Sequence, residues 1–424
     1  MAFSRDSEGR AWLGGLPLGS LLAQVPTPFY AYDLDGVAER ARRLAEGFAG
    51  RAHRIFYAVK ANSAGPLLAR LRDAGLGTDV VSGGELRLCL RLGFAPERII
   101  FSGVGKTDAE IDLALGAGPE GICALQAESV EELARVEARA RALGRPARVS
   151  LRLNPEVEAG AHAHIATGHD EAKFGIPWRD LGAALDEVGR RPGLRLVGLA
   201  SHIGSQMTST DAYERAAERL GEAARSRPGV AAALEFLDFG GGFGVDYGEG
   251  CGAEPADFVR AAMGALDRAG LGHLRAHCEP GRALVAPEGV LVTSVIQIKR
   301  WRHPETAGWL FVDAGMHTLL RSALYAARHR IEPLDRPPPE GPEGSIWRLA
   351  GPVCESSDEF GAYRLPEAPP AALVVRDAGA YGYTMASLYN GHGLPSEVFL
   401  EGGALRSVHR AIDPEAWAAE RAAL

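Results

Sequence analysis

From about residue 36 to 285 the chain repeats one rhythm: a short apolar run, an amphipathic segment, then another run. The runs are IFYAVK (55–60), GTDVVS (77–82), RIIFSG (98–103), GICALQ (121–126), RVSLRLN (148–154), LVGLASHIG (196–204), EFLDFGGG (235–242) and RAHCEPG (275–281). The segments between them carry helix signals. Thr107 to Glu110 and Ser129 to Glu132 fit the capping box. Apolar spacing in DLGAALDEV (180–188) and DFVRAAMGAL (257–266) suits helices packed on one face. Strands alternating with helices imply a parallel sheet. Eight such units predict a closed (β/α)8 barrel; an open doubly wound sheet is the alternative.

After Pro287 the rhythm changes. The runs GVLVTSVIQIK (289–299), GWLFVDAG (308–315), SIWRLAGPVC (345–354), ALVVRDAGAY (372–381) and EVFLEGG (397–403) have little helix between them. Turn-rich stretches such as RPPPEGPEG (336–344) separate them. This predicts a mostly β second domain.

In such a barrel the chemistry gathers at the C-terminal strand ends. The first run ends in Lys60, and the second contains Asp79 and ends at Ser82. The fifth ends in Arg152 and Asn154, and the sixth carries His202 with Ser205 just beyond. The seventh ends in Gly240, Gly241 and Gly242, the eighth in Glu279, Gly281 and Arg282. Each has a plainer reading: a lysine reaching water, a satisfied histidine, a tight turn, a strand-end Glu279–Arg282 ion pair. Their convergence on one rim favours chemistry. A lysine at a dry strand end is nucleophilic and can take a carbonyl. Glycine-rich turns expose backbone N–H groups to a phosphate. A carbonyl plus a phosphate fits a sugar phosphate or pyridoxal 5′-phosphate. Glu279 favours the second, since a carboxylate facing a pyridine nitrogen keeps it protonated.

Composition narrows the class. The chain has 424 residues, 46% hydrophobic and 24% charged, with a net charge of −8 that argues against nucleic acid. The five cysteines form no CxxC pair, so neither a disulfide framework nor a metal site is expected, in keeping with a cytoplasmic protein. MAFSRDSEGR lacks the apolar core of a signal peptide, and no run is long enough to cross a membrane.

With these motifs assembled, the chain resembles the fold-type III pyridoxal-phosphate decarboxylases, the diaminopimelate group above all. The resemblance runs from roughly Thr27 to Gly403. It rests on YAVKAN (57–62), DVVSGGEL (79–86), FSGVGKT (101–107), HIATGHDEAKFGI (164–176), HIGSQ (202–206) and GGGFGVDY (240–247). It continues through EPGR (279–282), DAGMHTLLRSALY (313–325), GPVCESSD (351–358), DAGAYGYTMASLYN (377–390) and EVFLEGG (397–403).

The resemblance implies roles for particular residues. Lys60 would carry the cofactor covalently, His202 would stack on its ring and Glu279 would meet its ring nitrogen. Asp79, Ser205, Gly242, Gly281 and Arg282 would complete the cofactor site, with Tyr381 on the phosphate side. Arg282, Arg321, Tyr325 and Tyr381 would bind substrate, Glu355 would read its distal ammonium, and Cys354 would return a proton after CO2 leaves. It further implies a barrel over 36–287, a β domain formed by 1–35 with 288–424, and a homodimer whose CES segment completes the other copy's site. The expected reaction converts meso-2,6-diaminopimelate to L-lysine. Two arginines suit its distal carboxylate, whereas ornithine, lysine or arginine would leave such a charge unmatched. Those amino acids, or a carrier-linked one, are the alternative substrates. RSALY (321–325) replaces the family's Arg-Pro-Ala-Leu-Tyr, so Ser322 is expected to loosen the turn behind Arg321.

Overall fold

Each of the eight apolar runs becomes a strand in the computed structural model, which describes residues 3–158, 173–301 and 305–423. The HIATGHDEA part (164–172) of one motif lies outside the described residues. The strands are β1 (His53–Ala58), β2 (Gly77–Val80), β3 (Ile99–Phe101), β4 (Ala124–Ala127), β5 (Ala147–Asn154), β6 (Leu194–Ser201), β7 (Phe236–Asp238) and β8 (Arg275–Cys278). All pair in parallel with their neighbours. Ala276 of β8 pairs with His53 of β1, and Leu125 of β4 with Val149 of β5. The ring therefore closes, and the open sheet is excluded.

The barrel is filled rather than hollow. Phe56, Ile100, Cys123, Ala124, Val197 and Phe236 form one buried cluster. Burying each phenylalanine contributes about 1.5–3 kcal/mol relative to leaving it exposed. Gly198 makes room for Phe236, whose ring would lie 2.2 Å from any Cβ at that position. His277 is fully buried and stacks on Phe236 at 4.1 Å.

Helices follow the caps, with one revision. Thr107 and Glu110 form the full capping box on Asp108–Gly116. Ser129 caps Val130–Leu143 through the Glu132 N–H, but the Glu132 carboxylate turns elsewhere. It accepts from the Glu128 N–H at 2.8 Å and from Lys106 Nζ at 2.9 Å. A buried lysine has recruited the carboxylate.

The chain divides into two compact units. The barrel unit is Arg40–Val245 with Cys251–Ala283; the sheet unit is Met1–Glu39, Asp246–Gly250 and Leu284–Leu424. In the sheet unit the long strand Gly289–Arg300 is the spine. It pairs antiparallel with Phe29–Asp33, Gly308–Val312 and Ala372–Val375. Phe29–Asp33 also pairs in parallel with Ser396–Glu401, so an N-terminal strand is held inside the C-terminal sheet. Phe29, Ala31, Val290, Val292, Val374, Val398 and Leu400 pack in its core. Among the described residues, no helix is long and apolar enough to cross a membrane.

Candidate active site

The barrel unit places the expected cofactor residues at one end of its strands. β1 stops at Ala58, and Lys60 sits on the single 3-10 turn Val59–Ala61 that follows. Asn62 shapes that turn: its carbonyl accepts from Tyr57 Oη at 3.0 Å, and its Oδ1 accepts from the Ala64 N–H. Lys60 Nζ lies 3.5 Å from Oδ2 of the fully buried Asp79. The lysine is not dry, as its strand-end position suggested, since 42% of its side chain is exposed.

His202 follows β6 and is half-buried. Its Nδ1 accepts from the Gly241 N–H at 3.1 Å, which leaves the ring proton on Nε2. Burial, then the charges of Arg152 and Lys60, hold its pKa well below the ordinary histidine range, so the imidazole is neutral at pH 7. Arg152 is itself held by Glu128 at 2.8 Å.

Three turns interlock around this point. The Glu279 N–H donates to the Gly240 carbonyl at 2.8 Å, and the Ala58 N–H donates to the Pro280 carbonyl at 3.0 Å. Gly240 and Gly242 both have positive φ, at 67° and 88°. A Cβ at Gly241 would meet the Glu279 carbonyl at 2.1 Å, and one at Gly242 the Gly204 carbonyl at 2.2 Å. Only glycine allows these backbones to approach. A Cβ at Gly281 would be less crowded, 3.0 Å from Ala61 Cβ. Ser205 Oγ accepts from Arg282 Nη2 at 3.0 Å.

Glu279 is buried, and its Oε1 accepts from Gln126 Nε2 at 2.7 Å. Burial first, then the charges of Asp238 and Asp79, push its pKa well up. Asp238 is raised for the same leading reason. Gln126 and Asp238 escaped the sequence reading, although both end apolar runs or sit within them, the rule that selected Glu279.

The sheet unit carries the remaining expected residues at separate places. Arg321 opens the short helix Arg321–Tyr325 and is buried. His329 Nδ1 donates to the Arg376 carbonyl at 2.9 Å, so its Nε2 is free to accept from Arg321 Nη1 at 2.8 Å. The Arg321 guanidinium also lies 4.8 Å from the Tyr247 ring centre. Beside Ser322, Arg321 is thus held by His329 and Tyr247. Tyr325 at the end of that helix is 45% exposed. Tyr381 has φ of 55°, a left-handed backbone rare for a bulky side chain.

Cys354 and Glu355 stand exposed on one loop. The Cys354 N–H donates to Asn390 Oδ1 at 3.0 Å, and Tyr389 Oη donates to Glu355 Oε1 at 2.6 Å. That carboxylate raises the Tyr389 pKa. Beneath the loop, the buried Asp358 carboxylate accepts from the Met316 and Val353 N–H groups at 2.6 and 2.7 Å. Gly315 and Gly351 leave room for it. His329, Asp358, Tyr389 and Asn390 were not among the expected site residues.

The barrel end fits a ring-and-phosphate cofactor. It offers an amine, a neutral imidazole pinned by backbone, a glycine cradle that any Cβ would fill, and buried carboxyls. Asp79 Oδ1 and Asp238 Oδ2 have no hydrogen-bond partner among the described residues, so the site holds polar capacity that the chain does not use.

Known proteins agree. The pyridoxal-binding domain of the pyridoxal-dependent decarboxylases matches residues 34–286. The diaminopimelate decarboxylase of Zymomonas mobilis is 40% identical, with 91% of this chain and 90% of that protein covered. That of Helicobacter pylori J99 is 38% identical over 91% and 93%. The crystal structure of diaminopimelate decarboxylase from Helicobacter pylori complexed with L-lysine superposes with a TM-score of 0.87 at 36% identity, covering 96% of this chain and all of that one. The crystal structure of diaminopimelate decarboxylase from m. jannaschii in co-complex with L-lysine superposes with a TM-score of 0.91 at 28% identity, covering 100% of this chain and 98% of that one. Fold, barrel-end chemistry and sequence together identify this chain as a member of the pyridoxal-dependent decarboxylase family.

Proposed function

We propose that this chain is a diaminopimelate decarboxylase, converting meso-2,6-diaminopimelate to CO2 and L-lysine at the last step of lysine synthesis. The carrying observation is 40% identity to an enzyme of that name across nine-tenths of both chains. The buried Arg321 supports it, because its fixed guanidinium suits the distal carboxylate that ornithine, lysine and arginine lack.

Bound pyridoxal 5′-phosphate supplies the electron sink for cleavage next to an amino group. Lys60 would hold it covalently, with Asp79 as the anion beside that amine. Glu279 would meet the ring nitrogen, and His202 would lie against the ring as a neutral face. Ser205, Gly242, Gly281 and Arg282 would take the phosphate, and Tyr381 would serve as a further phosphate ligand. Arg282, Arg321, Tyr325 and Tyr381 would orient the substrate, and Glu355 would accept from its distal ammonium. Cys354 would give its S–H proton to the carbon that loses CO2, and a solvent proton would restore the thiol.

Cys354, Glu355 and Tyr325 are exposed where catalysis needs enclosure. That favours a homodimer in which each copy completes the other's site. Five free cysteines suit a reducing cytoplasm.

The test is CO2 release from meso-diaminopimelate, L- and D-lysine, L- and D-ornithine, and L-arginine by cofactor-loaded protein. Release from meso-diaminopimelate alone is expected. Release only from another member would keep the cofactor chemistry and overturn the substrate. Silence across the panel with cofactor bound would point to a carrier-linked amino acid.

A further inference from the structure

We propose that Asp238 is a positioning residue that keeps one proton stored on the Asp238–Glu279 carboxyl pair before the cofactor arrives. The inference rests on the reading that Glu279 meets the ring nitrogen, and it adds where that nitrogen's proton comes from.

The geometry is one of too many acids. Asp79 on β2, Asp238 at the end of β7 and Glu279 just beyond β8 are all buried. Asp238 Oδ1 accepts from the Gly240 N–H at 2.9 Å, and its Oδ2 has no partner among the described residues. Glu279 is met by Gln126, a neutral amide. Lys60 is the ammonium of this cluster and lies against Asp79. The charge of Arg152 also reaches the pair, but its guanidinium is matched by Glu128 at 2.8 Å. The other titratable groups acting here, Tyr213 and Cys278, are kept neutral at pH 7 by burial and by these same acids.

Full ionisation would leave buried negative charge without a cation. One retained proton relieves that at least cost, and two coupled carboxyls share it rather than either owning it. The direction found for both groups agrees. The pair would give this proton to a pyridine nitrogen bound against Glu279, the carboxyl O–H bond breaking as an N–H bond forms, with no proton drawn from water. Asp238 acts through Glu279, whose proton its negative charge helps to hold. Asn at 238 keeps the oxygen that accepts from Gly240 and removes the charge.

The test is made on cofactor-free protein, by infrared and carbon NMR titration of isotope-labelled Asp and Glu carboxyls. In the wild type, one carboxyl should stay protonated well above the ordinary range of about pH 4 to 5. In Asp238→Asn, the Glu279 midpoint should fall by at least about one pH unit, a tenfold loss of proton affinity. A purely structural aspartate would not move that midpoint. The inference is overturned if every wild-type carboxyl titrates in the ordinary range, or if the Glu279 midpoint is unchanged in Asp238→Asn. Should that variant not fold, the wild-type titration alone still decides the first point, and Asp79→Asn, which also removes one neighbouring charge, should lower the same midpoint. Failure of the wild type to take up pyridoxal phosphate would instead sink the functional reading, and the titration does not depend on it.

Discussion

The two units place the polar groups of the expected site differently. In the barrel unit, Asp79, Asp238 and Glu279 are buried, and two of their oxygens lack a partner among the described residues. In the sheet unit, Cys354, Glu355 and Tyr325 stand exposed, while the buried Asp358 and Arg321 are satisfied by backbone N–H groups or by His329. A buried, incompletely satisfied group costs stability unless something binds there. The barrel is therefore built to be completed by a small polar molecule. The sheet unit uses buried charges such as Asp358 to fix loops, and it leaves Cys354, Glu355 and Tyr325 exposed.

The largest effect should come from the barrel. Lys60→Ala should abolish CO2 release, by at least about 10³-fold, and remove the visible absorbance of bound cofactor. Because Lys60 is the ammonium beside the buried Asp79, its loss should also lower the melting temperature of the cofactor-free protein. Persistence of the absorbance would refute the assignment of Lys60.

Cys354→Ala should lower turnover by about 10²- to 10⁴-fold, the usual range for a lost proton donor, and leave the cofactor absorbance intact. That separation of chemistry from cofactor loading is what the contrast between the units requires. Mixing Glu355→Ala with Lys60→Ala protein should restore activity, since one site of a mixed dimer would then hold both native residues. If mixtures stay as inactive as their components, the shared site is wrong.

Asp358→Ala should act through the loop. It strands the Met316 and Val353 N–H groups, at a cost of about 1–3 kcal/mol in denaturant unfolding. Turnover should fall while cofactor affinity holds. A loss of cofactor binding instead would mean that the sheet unit's buried charges serve the barrel's ligand.

How much of this was legible beforehand follows from burial. Parallel strands covered on both faces read as unbroken apolar runs, so the barrel and its strand order could be found. Glu359–Leu365 and Ala404–His409 alternate between covered and exposed positions and offer no run, so both strands passed unseen. Lys60 read as the end of a strand, but the strand stops at Ala58 and Asn62 folds the lysine onto a turn. Asp238 hid inside EFLDFGGG, where one acid among apolar residues looked like noise. Gln126 ends its run as Glu279 ends another, and the same rule would have found it. His329 and Asp358 left no local signal, because their partners lie at Arg321 and Arg376, and at Met316 and Val353.

The smallest expected effect on turnover tests the comparison most directly, because the sheet unit also has a buried acid that resists ionisation. Burial raises Glu397 from 4.5 to about 7, although Tyr32 Oη donates to it at 3.0 Å and favours the charged form. The folded protein therefore holds more protons than the unfolded chain between those values, and stability falls as pH rises through that window. Glu397→Gln removes the titration and can still accept from Tyr32. It should change little near pH 4, gain progressively above the unfolded value, and level off above pH 7 at about 3 kcal/mol. Thermal melts of both proteins across that range measure it, with turnover expected to hold. A gain in stability with activity kept would mark Glu397 as an acid that only the fold must tolerate. A fall in turnover would mean that the sheet unit, too, buries charge for chemistry.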